Sequence, residues 1–192
     1  MDSKLIGISS AVLIASGALG QYRTWTGTGG SILDNGGQRF TIFVPSHDFE
    51  QISLFTLDIE HTFVGDLFIS VTHKTATPRT YVLIDRPGVP QSTFGNGDDL
   101  DGVYDFRDGF APIPESAGSS GVIAPGVYGP NPGTTISGAP EDLYGEWSLF
   151  ISDGAGGDEG VLHSWSLSYP DIPAPGPLAL FGVATICARR RR

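Results

Sequence analysis

Cysteine, basic residues and helical periodicity are all scarce in this sequence. The single cysteine among 192 residues is Cys187, near the end of the chain, so the rest of the protein must rely on its core or on bound metal rather than on disulfides. Lysine and arginine number 11 against 21 aspartates and glutamates, a net charge of −10, which argues against binding nucleic acid through its phosphates. With 27 glycines and 14 prolines, many turns and an all-β fold are predicted.

Period-two alternation is the main pattern, and it is clearest from Leu57 to Thr72, on both sides of a short break that contains Gly65. It predicts two strands joined as a β-hairpin with one face in a core. His61 falls on the apolar face, where a histidine is usually a core residue bonded to the backbone and less often a catalytic one. Asp66 opens the second strand, where an aspartate typically accepts backbone N–H groups of the turn.

Two runs of residues resemble the P domain, also called the Homo B domain, which follows the catalytic domain in kexin- and furin-like subtilisin proteases. The first run is I-x-HT-x-x-GDL-x-I, which starts at Ile59. The second is G-x-W-x-L-x-I-x-D followed by GD-x-G-x-L-x-x-W-x-L, which contains Trp147 and Trp165 and resembles the closing hairpin of that domain. The resemblance covers about residues 40–170 and includes no catalytic residue of the protease.

The expected fold is an antiparallel, two-sheet, jelly-roll-like β-sandwich over residues 39–170. Alternation within its strands assigns one set of large side chains to the core. The residues expected to be buried are Ile59, Leu67, Ile69, Trp147, Leu149, Trp165 and Leu167. Residues 21–38 are polar and glycine-rich and are interpreted as a leader into this domain.

The two ends of the chain have the composition of export signals. Residues 1–20 combine Lys4, a mostly apolar run and small residues before Gly20, which is typical of a secretory signal cut by signal peptidase. Residues 171–192 contain Pro173-Ala174-Pro175, then an apolar run and four arginines. This order resembles the PEP-CTERM sorting tail that exosortase removes, although that family has Pro-Glu-Pro at the first position.

The apolar run of the tail, from Pro177 to Ala188, is shorter than the ~20 residues that a stable membrane span needs. Only transient contact with the membrane is therefore expected, with a permanent single-pass anchor as the alternative. Arginines that follow an apolar segment are typical of the cytoplasmic side. Together the two ends predict an exported protein that remains at the cell surface or in the extracellular matrix after processing.

Aspartates crowd two glycine-rich stretches of the sequence. Asp98, Asp99 and Asp101 form one group, and Asp153 and Asp158 form the other. Like charges held close together repel, and calcium accepts oxygen ligands from carboxylates, carbonyls and water in flexible geometry. The sequence therefore predicts a structural calcium site that draws on these five residues, with an ordinary acidic surface as the alternative.

The expected function is a non-catalytic interaction module, because the segments that carry the nucleophile and the histidine of subtilisin-like proteases are absent from the sequence. Two alternatives stay open: an accessory domain that docks onto a separate subtilisin-like protease, and a carbohydrate-binding jelly roll. The candidate partners are accordingly a surface protein, a protease or an exopolysaccharide. An exposed aromatic platform would favour sugar, and a contiguous apolar patch would favour a protein.

Overall fold

The computed structural model describes residues 21–118, 120–139 and 141–171. In this part of the chain the regular structure is almost entirely β and forms two main antiparallel sheets around one core. The prediction of an all-β, antiparallel, two-sheet sandwich is confirmed.

The first sheet is built from four long strands and two short ones. In spatial order it contains β1 (Gln21–Ile32), β12 (Gly160–Asp171), β4 (Leu54–His61) and β7 (Asp99–Phe106), with β8 (Val122–Ile123) and β9 (Gly126–Tyr128) paired in parallel to β7. The second sheet contains β2 (Gly37–Val44), β11 (Gly145–Asp153), β5 (Leu67–Lys74) and β6 (Arg79–Asp85). A small pair joins β3 (Phe49–Glu50) to β10 (Glu141–Asp142).

The core lies between these sheets and has the composition that alternation predicts. All seven residues assigned to it are at most 1% exposed, namely Ile59, Leu67, Ile69, Trp147, Leu149, Trp165 and Leu167. Aromatic rings from both sheets fill the space between the sheets. The ring centroid of Phe55, in the first sheet, lies 6.3 Å from that of Trp147, in the second. Burial of these side chains is the main favourable contribution to folding.

Both hairpin predictions are wrong, because the two strands of each predicted hairpin do not pair with each other. Strand β4 lies in the first sheet and β5 in the second, and β11 and β12 are separated in the same way. Between β4 and β5 the chain crosses the end of the core through Phe63, which has φ 74°, and a single 3₁₀ turn over Val64–Asp66. Alternation shows which face points inward, but an inward face is equally compatible with a neighbouring strand and with a strand across the core.

The interpretation of residues 21–38 as a leader is also corrected, because Gln21–Ile32 forms β1 and pairs with β12 along its whole length. Glycines in this strand permit close packing. A Cβ at Gly27 would lie 2.6 Å from Nε1 of Trp165, and one at Gly29 would lie 1.8 Å from the carbonyl oxygen of Leu162. Close approach, rather than flexibility, explains why these glycines stand in a strand.

The sandwich has two ends, which differ in composition. The acidic end carries the connections 33–36, 62–66, 86–98 and 154–159, and the aromatic end carries 45–53, 75–78 and 141–144. Strand β1 alone runs 12 residues between them, or about 40 Å at the usual rise per residue.

The described part of the chain contains no helix that is long and apolar enough to span a membrane. The predicted signal in residues 1–20, and residues 172–192 of the predicted tail, lie outside the described residues.

Candidate functional site

Backbone hydrogen bonds tie the connections of the acidic end together. The N–H of Gly154 donates to the carbonyl of Asp66 at 2.9 Å, and the N–H of Thr62 donates to that of Glu159 at 3.1 Å. The N–H of Asp153 donates to Gly36 at 2.9 Å. These bonds bring residues that are far apart in sequence to one place, since each comes from a turn that closes the same end of the sandwich.

Asp153 is the most unusual residue of this end. Its side chain is buried, with the residue only 2% exposed. Oδ1 accepts the N–H of Ala155 at 3.1 Å, but Oδ2 has no hydrogen-bond partner among the described residues. A buried carboxylate oxygen without a partner costs free energy, because water that solvates it in the unfolded chain is not replaced.

His61 is the nearest side chain that can carry positive charge, with Nε2 3.5 Å from Oδ2 of Asp153. The burial predicted for His61 is confirmed, since it is 2% exposed. The expected bond to the backbone is not found, because neither ring nitrogen has a hydrogen-bond partner among the described residues. The ring therefore faces a carboxylate on one side without the hydroxyl contact that a Ser-His-Asp arrangement uses.

Asp66 completes the carboxylate cluster of the acidic end. Burial raises the pKa of Asp66, and the negative charges of Asp153 and Asp158 raise it further. Arg86 acts in the opposite direction, with Nη2 3.4 Å from Oδ1 of Asp66. The hydrogen bonds from turn N–H groups that were expected for the Asp66 side chain are not found among the described residues: its carboxylate faces other carboxylates and accepts a bond only from Arg86. We call Asp66, Asp153 and Asp158 the carboxylate cluster.

The first predicted group of aspartates is arranged differently. Strand β7 begins at Asp99, so Asp99 and Asp101 are held in a strand rather than in a flexible loop. Asp98 is buried and accepts the N–H of Gly118, and Asp99 accepts the N–H of Phe63 at 3.2 Å. Asp101 is exposed. The charges of Asp98 and Asp99 thus already have backbone donors.

A cleft of about 400 Å³ lies beside the carboxylate cluster, where β4, β7 and β12 begin or end. Four carboxylates line it, from Glu60, Asp99, Asp101 and Glu159. One of these carboxylates, that of Glu60, contacts His163, with Nε2 of His163 3.1 Å from Oε1 of Glu60. The concentration of negative charge on the cleft and the cluster suits a cation rather than an anion.

The fit of this end to calcium depends mainly on Asp153. Within the described ranges, no three His, Cys, Asp or Glu side chains are placed together so that they could hold a metal ion. Calcium often completes its coordination with backbone carbonyls and water, and the unpartnered Oδ2 of Asp153 is an oxygen donor of the type it prefers. Asp153 would supply one ligand, and the ion would place positive charge near Asp66 and Asp158.

The aromatic end treats its carboxylates in another way. Asp48 accepts hydrogen bonds from Ser46 at 2.6 Å, from the hydroxyl of Tyr169 at 2.8 Å and from Arg23 at 3.1 Å. Ser46 and Tyr169, followed by Arg23, lower the pKa of Asp48. Asp142 lies 2.7 Å from Nδ1 of His47, whose hydrogen bond lowers the pKa of Asp142. Both of these carboxylates therefore have a hydrogen-bond donor.

The sequence singled out Asp153 and Asp158 as candidate ligands but did not single out Asp66, which the structure places beside them. The available signal was its position directly after Gly65, in a turn between two core-facing strands. In a sandwich, such turns can close the same end even when they are far apart in sequence. The sequence could therefore have suggested that the turns at Asp66 and Asp153 meet.

Neither a protein-family model nor a curated protein matches this sequence. Among solved structures, it is similar to a chain in the crystal structure of the complex of Aeromonas sobria serine protease and its chaperone. The identity is 15% and the TM-score 0.45, over 80% of this chain and 27% of that chain. This chain thus matches about a quarter of that one, and a likeness at this level carries no inference about activity or partners.

Proposed function

We propose that this protein is an exported, non-catalytic β-sandwich that acts as an interaction module at the cell surface or in the extracellular matrix, and that calcium stabilises its acidic end. The observation that carries the calcium proposal is the buried carboxylate of Asp153, whose Oδ2 has no hydrogen-bond partner among the described residues. Export and the surface location rest on the sequence of the two ends of the chain.

Repulsion between the carboxylates of the acidic end supports the proposal that calcium stabilises the folded state. The folded chain holds Asp66 close to Asp153 and Asp158, whose negative charges disfavour ionisation of Asp66. The unfolded chain separates and solvates the same groups, so their repulsion favours unfolding at neutral pH. A cation bound only by the folded state offsets this effect. Gly154, Gly156 and Gly157 of the connection are exposed, and calcium accepts backbone carbonyls as ligands.

The contacts of the second buried histidine support a non-catalytic role. Nε2 of His73 lies 3.0 Å from the carbonyl oxygen of Tyr144, and its ring stacks on Trp147 with 4.1 Å between centroids. Its Nδ1 faces Glu141 at 3.6 Å. Like His61, His73 packs as a core residue. Among the described residues, it has no hydrogen bond to a hydroxyl or thiol that could act as a nucleophile.

Three kinds of partner are compatible with this proposal: a surface protein, a separate subtilisin-like protease and an exopolysaccharide. The tryptophans shared with the P-domain motif, Trp147 and Trp165, are buried. They support a common fold rather than a common docking surface. Recovery of proteins from the native secretome on the immobilised full chain, with and without added exopolysaccharide, distinguishes these partners; a protease recovered in both conditions would favour the accessory-domain alternative.

Thermal melting of the full chain tests the calcium proposal. Binding to the folded state at a hundred times the dissociation constant is expected to stabilise the protein by about 2.7 kcal/mol. The midpoint should rise in millimolar calcium and fall in chelator, with magnesium as the matched control. An unchanged midpoint together with no heat of calcium binding in calorimetry would contradict the proposal.

A further inference from the structure

The two ends of the described chain lie side by side at the aromatic end. Gln21, at the start of β1, is the Cα partner of Asp171, at the end of β12. The segments that precede residue 21 and follow residue 171 are therefore attached at the same corner of the sandwich. Only residues 172–176 separate that corner from the apolar run that begins at Pro177.

The length of this connection limits the distance between the domain and the apolar run. Six residue steps lead from Asp171 to Pro177, and a fully extended chain covers at most about 3.6 Å per step. The corner can therefore lie no more than roughly 22 Å from the start of the run. If that run enters a lipid bilayer, the aromatic end is the part of the domain nearest to the lipid.

Exposed aromatic side chains are concentrated at this end. Tyr22, Phe43, Phe49 and Tyr144 are all exposed, and Phe49 is 71% exposed. The rings of Phe43 and Tyr144 meet edge to face, with 5.5 Å between centroids. Such a group is poorly placed in water, whereas aromatic rings are favoured at the interface between lipid and water.

Basic side chains offset part of the negative charge of the aromatic end. Arg23 contacts Asp48 at 3.1 Å, and Lys74 contacts Glu146 at 2.6 Å. The acidic end, about 40 Å away along β1, concentrates the carboxylates of the cluster and the cleft. An anionic lipid surface would repel that end more strongly than the aromatic end.

We propose that the aromatic end is a membrane-facing surface that rests on the lipid headgroups through Tyr22, Phe43, Phe49 and Tyr144 while the tail is in the membrane. The acidic end then points away from the lipid. This inference depends on the sequence prediction that the tail contacts a membrane, and it is independent of calcium binding.

Fluorescence quenching by lipids tests this orientation in the full chain. The chain is reconstituted into vesicles of phosphatidylethanolamine and phosphatidylglycerol that contain a nitroxide at the headgroup. With Cys187→Ser in the background, a fluorophore is attached to Ala76→Cys, in the β5–β6 turn at the aromatic end, or to Gln91→Cys, at the acidic end; both positions are exposed. Strong quenching at Ala76→Cys and almost none at Gln91→Cys is expected.

Removal of aromatic rings tests whether they make the contact. Phe43→Ser with Phe49→Ser should reduce quenching at Ala76→Cys several-fold. Phe94→Ser is the matched control, since Phe94 is also 71% exposed but lies at the acidic end. Phe49→Ser alone serves if the double variant fails to fold, as judged by near-ultraviolet circular dichroism.

Two results would overturn the proposal. One is equal quenching at Ala76→Cys and Gln91→Cys, which would mean that the domain has no preferred end toward the lipid. The other is quenching that Phe43→Ser and Phe49→Ser leave unchanged, because the aromatic rings would then have no part in the orientation and would be free for a protein or a polysaccharide. Neither result would affect the calcium test.

Discussion

The two ends of the sandwich share one core but treat buried and half-buried carboxylates in opposite ways. At the aromatic end, Asp48 accepts three side-chain hydrogen bonds, including one from Arg23. At the acidic end, Oδ2 of Asp153 has no hydrogen-bond partner within the described chain. The comparison shows that the same residue type can stabilise one end at neutral pH and destabilise the other.

The pKa values follow this difference. Hydrogen bonds lower the pKa of Asp48, and His73, Tyr81 and Arg79 lower that of Glu141 against the effect of burial. At the acidic end, burial and neighbouring carboxylates raise the pKa of Asp66. Ionisation therefore favours the folded state at the aromatic end and disfavours it at the acidic end.

The largest expected effect comes from the core that joins the two ends. Trp165 is buried and packs against β1, where Gly27 lies close to its ring. Trp165→Ala should destabilise the protein by about 3–5 kcal/mol, because it removes a large ring and leaves a cavity. Chemical denaturation measures the loss. Separate transitions at the two ends, or a loss below about 1 kcal/mol, would mean that the ends do not share a cooperative core.

A smaller effect is expected when the cation site alone is changed. Asp153→Asn retains an oxygen that can accept the N–H of Ala155 but removes the negative charge. The calcium-dependent stabilisation, about 2.7 kcal/mol at a hundred times the dissociation constant, should fall close to zero. Asp48→Asn is the matched control and should retain the whole response, although its stability in chelator should fall. Equal calcium responses in the two variants would show that Asp153 is not a ligand.

The smallest effects are expected in the dependence of stability on pH, and they should have opposite signs. Asp66 has a pKa above its ordinary 3.8, so its contribution disfavours folding increasingly as the pH rises above 3.8 and through the raised value. In chelator, Asp66→Asn should therefore gain stability relative to the wild type as the pH rises.

Glu141 has a pKa below its ordinary 4.5, so its contribution is present above 4.5 and is lost as the pH falls through the lowered value. Glu141→Gln should be less stable than the wild type at neutral pH, with a difference that shrinks in acid. Melting midpoints between about pH 3 and pH 7 measure both variants. If the stability of both variants relative to the wild type changed with pH in the same direction, the two ends would not differ in the way proposed.

Alternation was sufficient to predict the fold class and the core, since every residue assigned to the core is buried. It was insufficient for strand pairing. The pattern around Gly65 fits a hairpin and a crossing between sheets equally well, because only the direction of the side chains is encoded. Val64 and Asp66 are buried in the turn because the chain crosses from one sheet to the other there. The short spacing between the two strands in the sequence gave no indication of this crossing.

Strand β1 was missed for a different reason. Its threonines and glycines have the composition of a loop, and glycine is usually depleted in strands. The need for glycine at positions 27 and 29 comes from Trp165 and Leu162 on the neighbouring strand, which no local pattern reveals. The carboxylate cluster was predicted only in part, because its members meet through tertiary structure.

Amide hydrogen exchange of the full chain, with calcium and then with chelator, tests most directly the claim that the acidic end is the cation-dependent end. We expect calcium to slow exchange in the connections 33–36, 62–66 and 154–159, which the backbone bonds of Asp66 and Asp153 link together. Exchange at 45–50 and 141–144 should not change beyond the global stabilisation. Protection confined to the aromatic end, or the same exchange with and without calcium at both ends, would contradict the account.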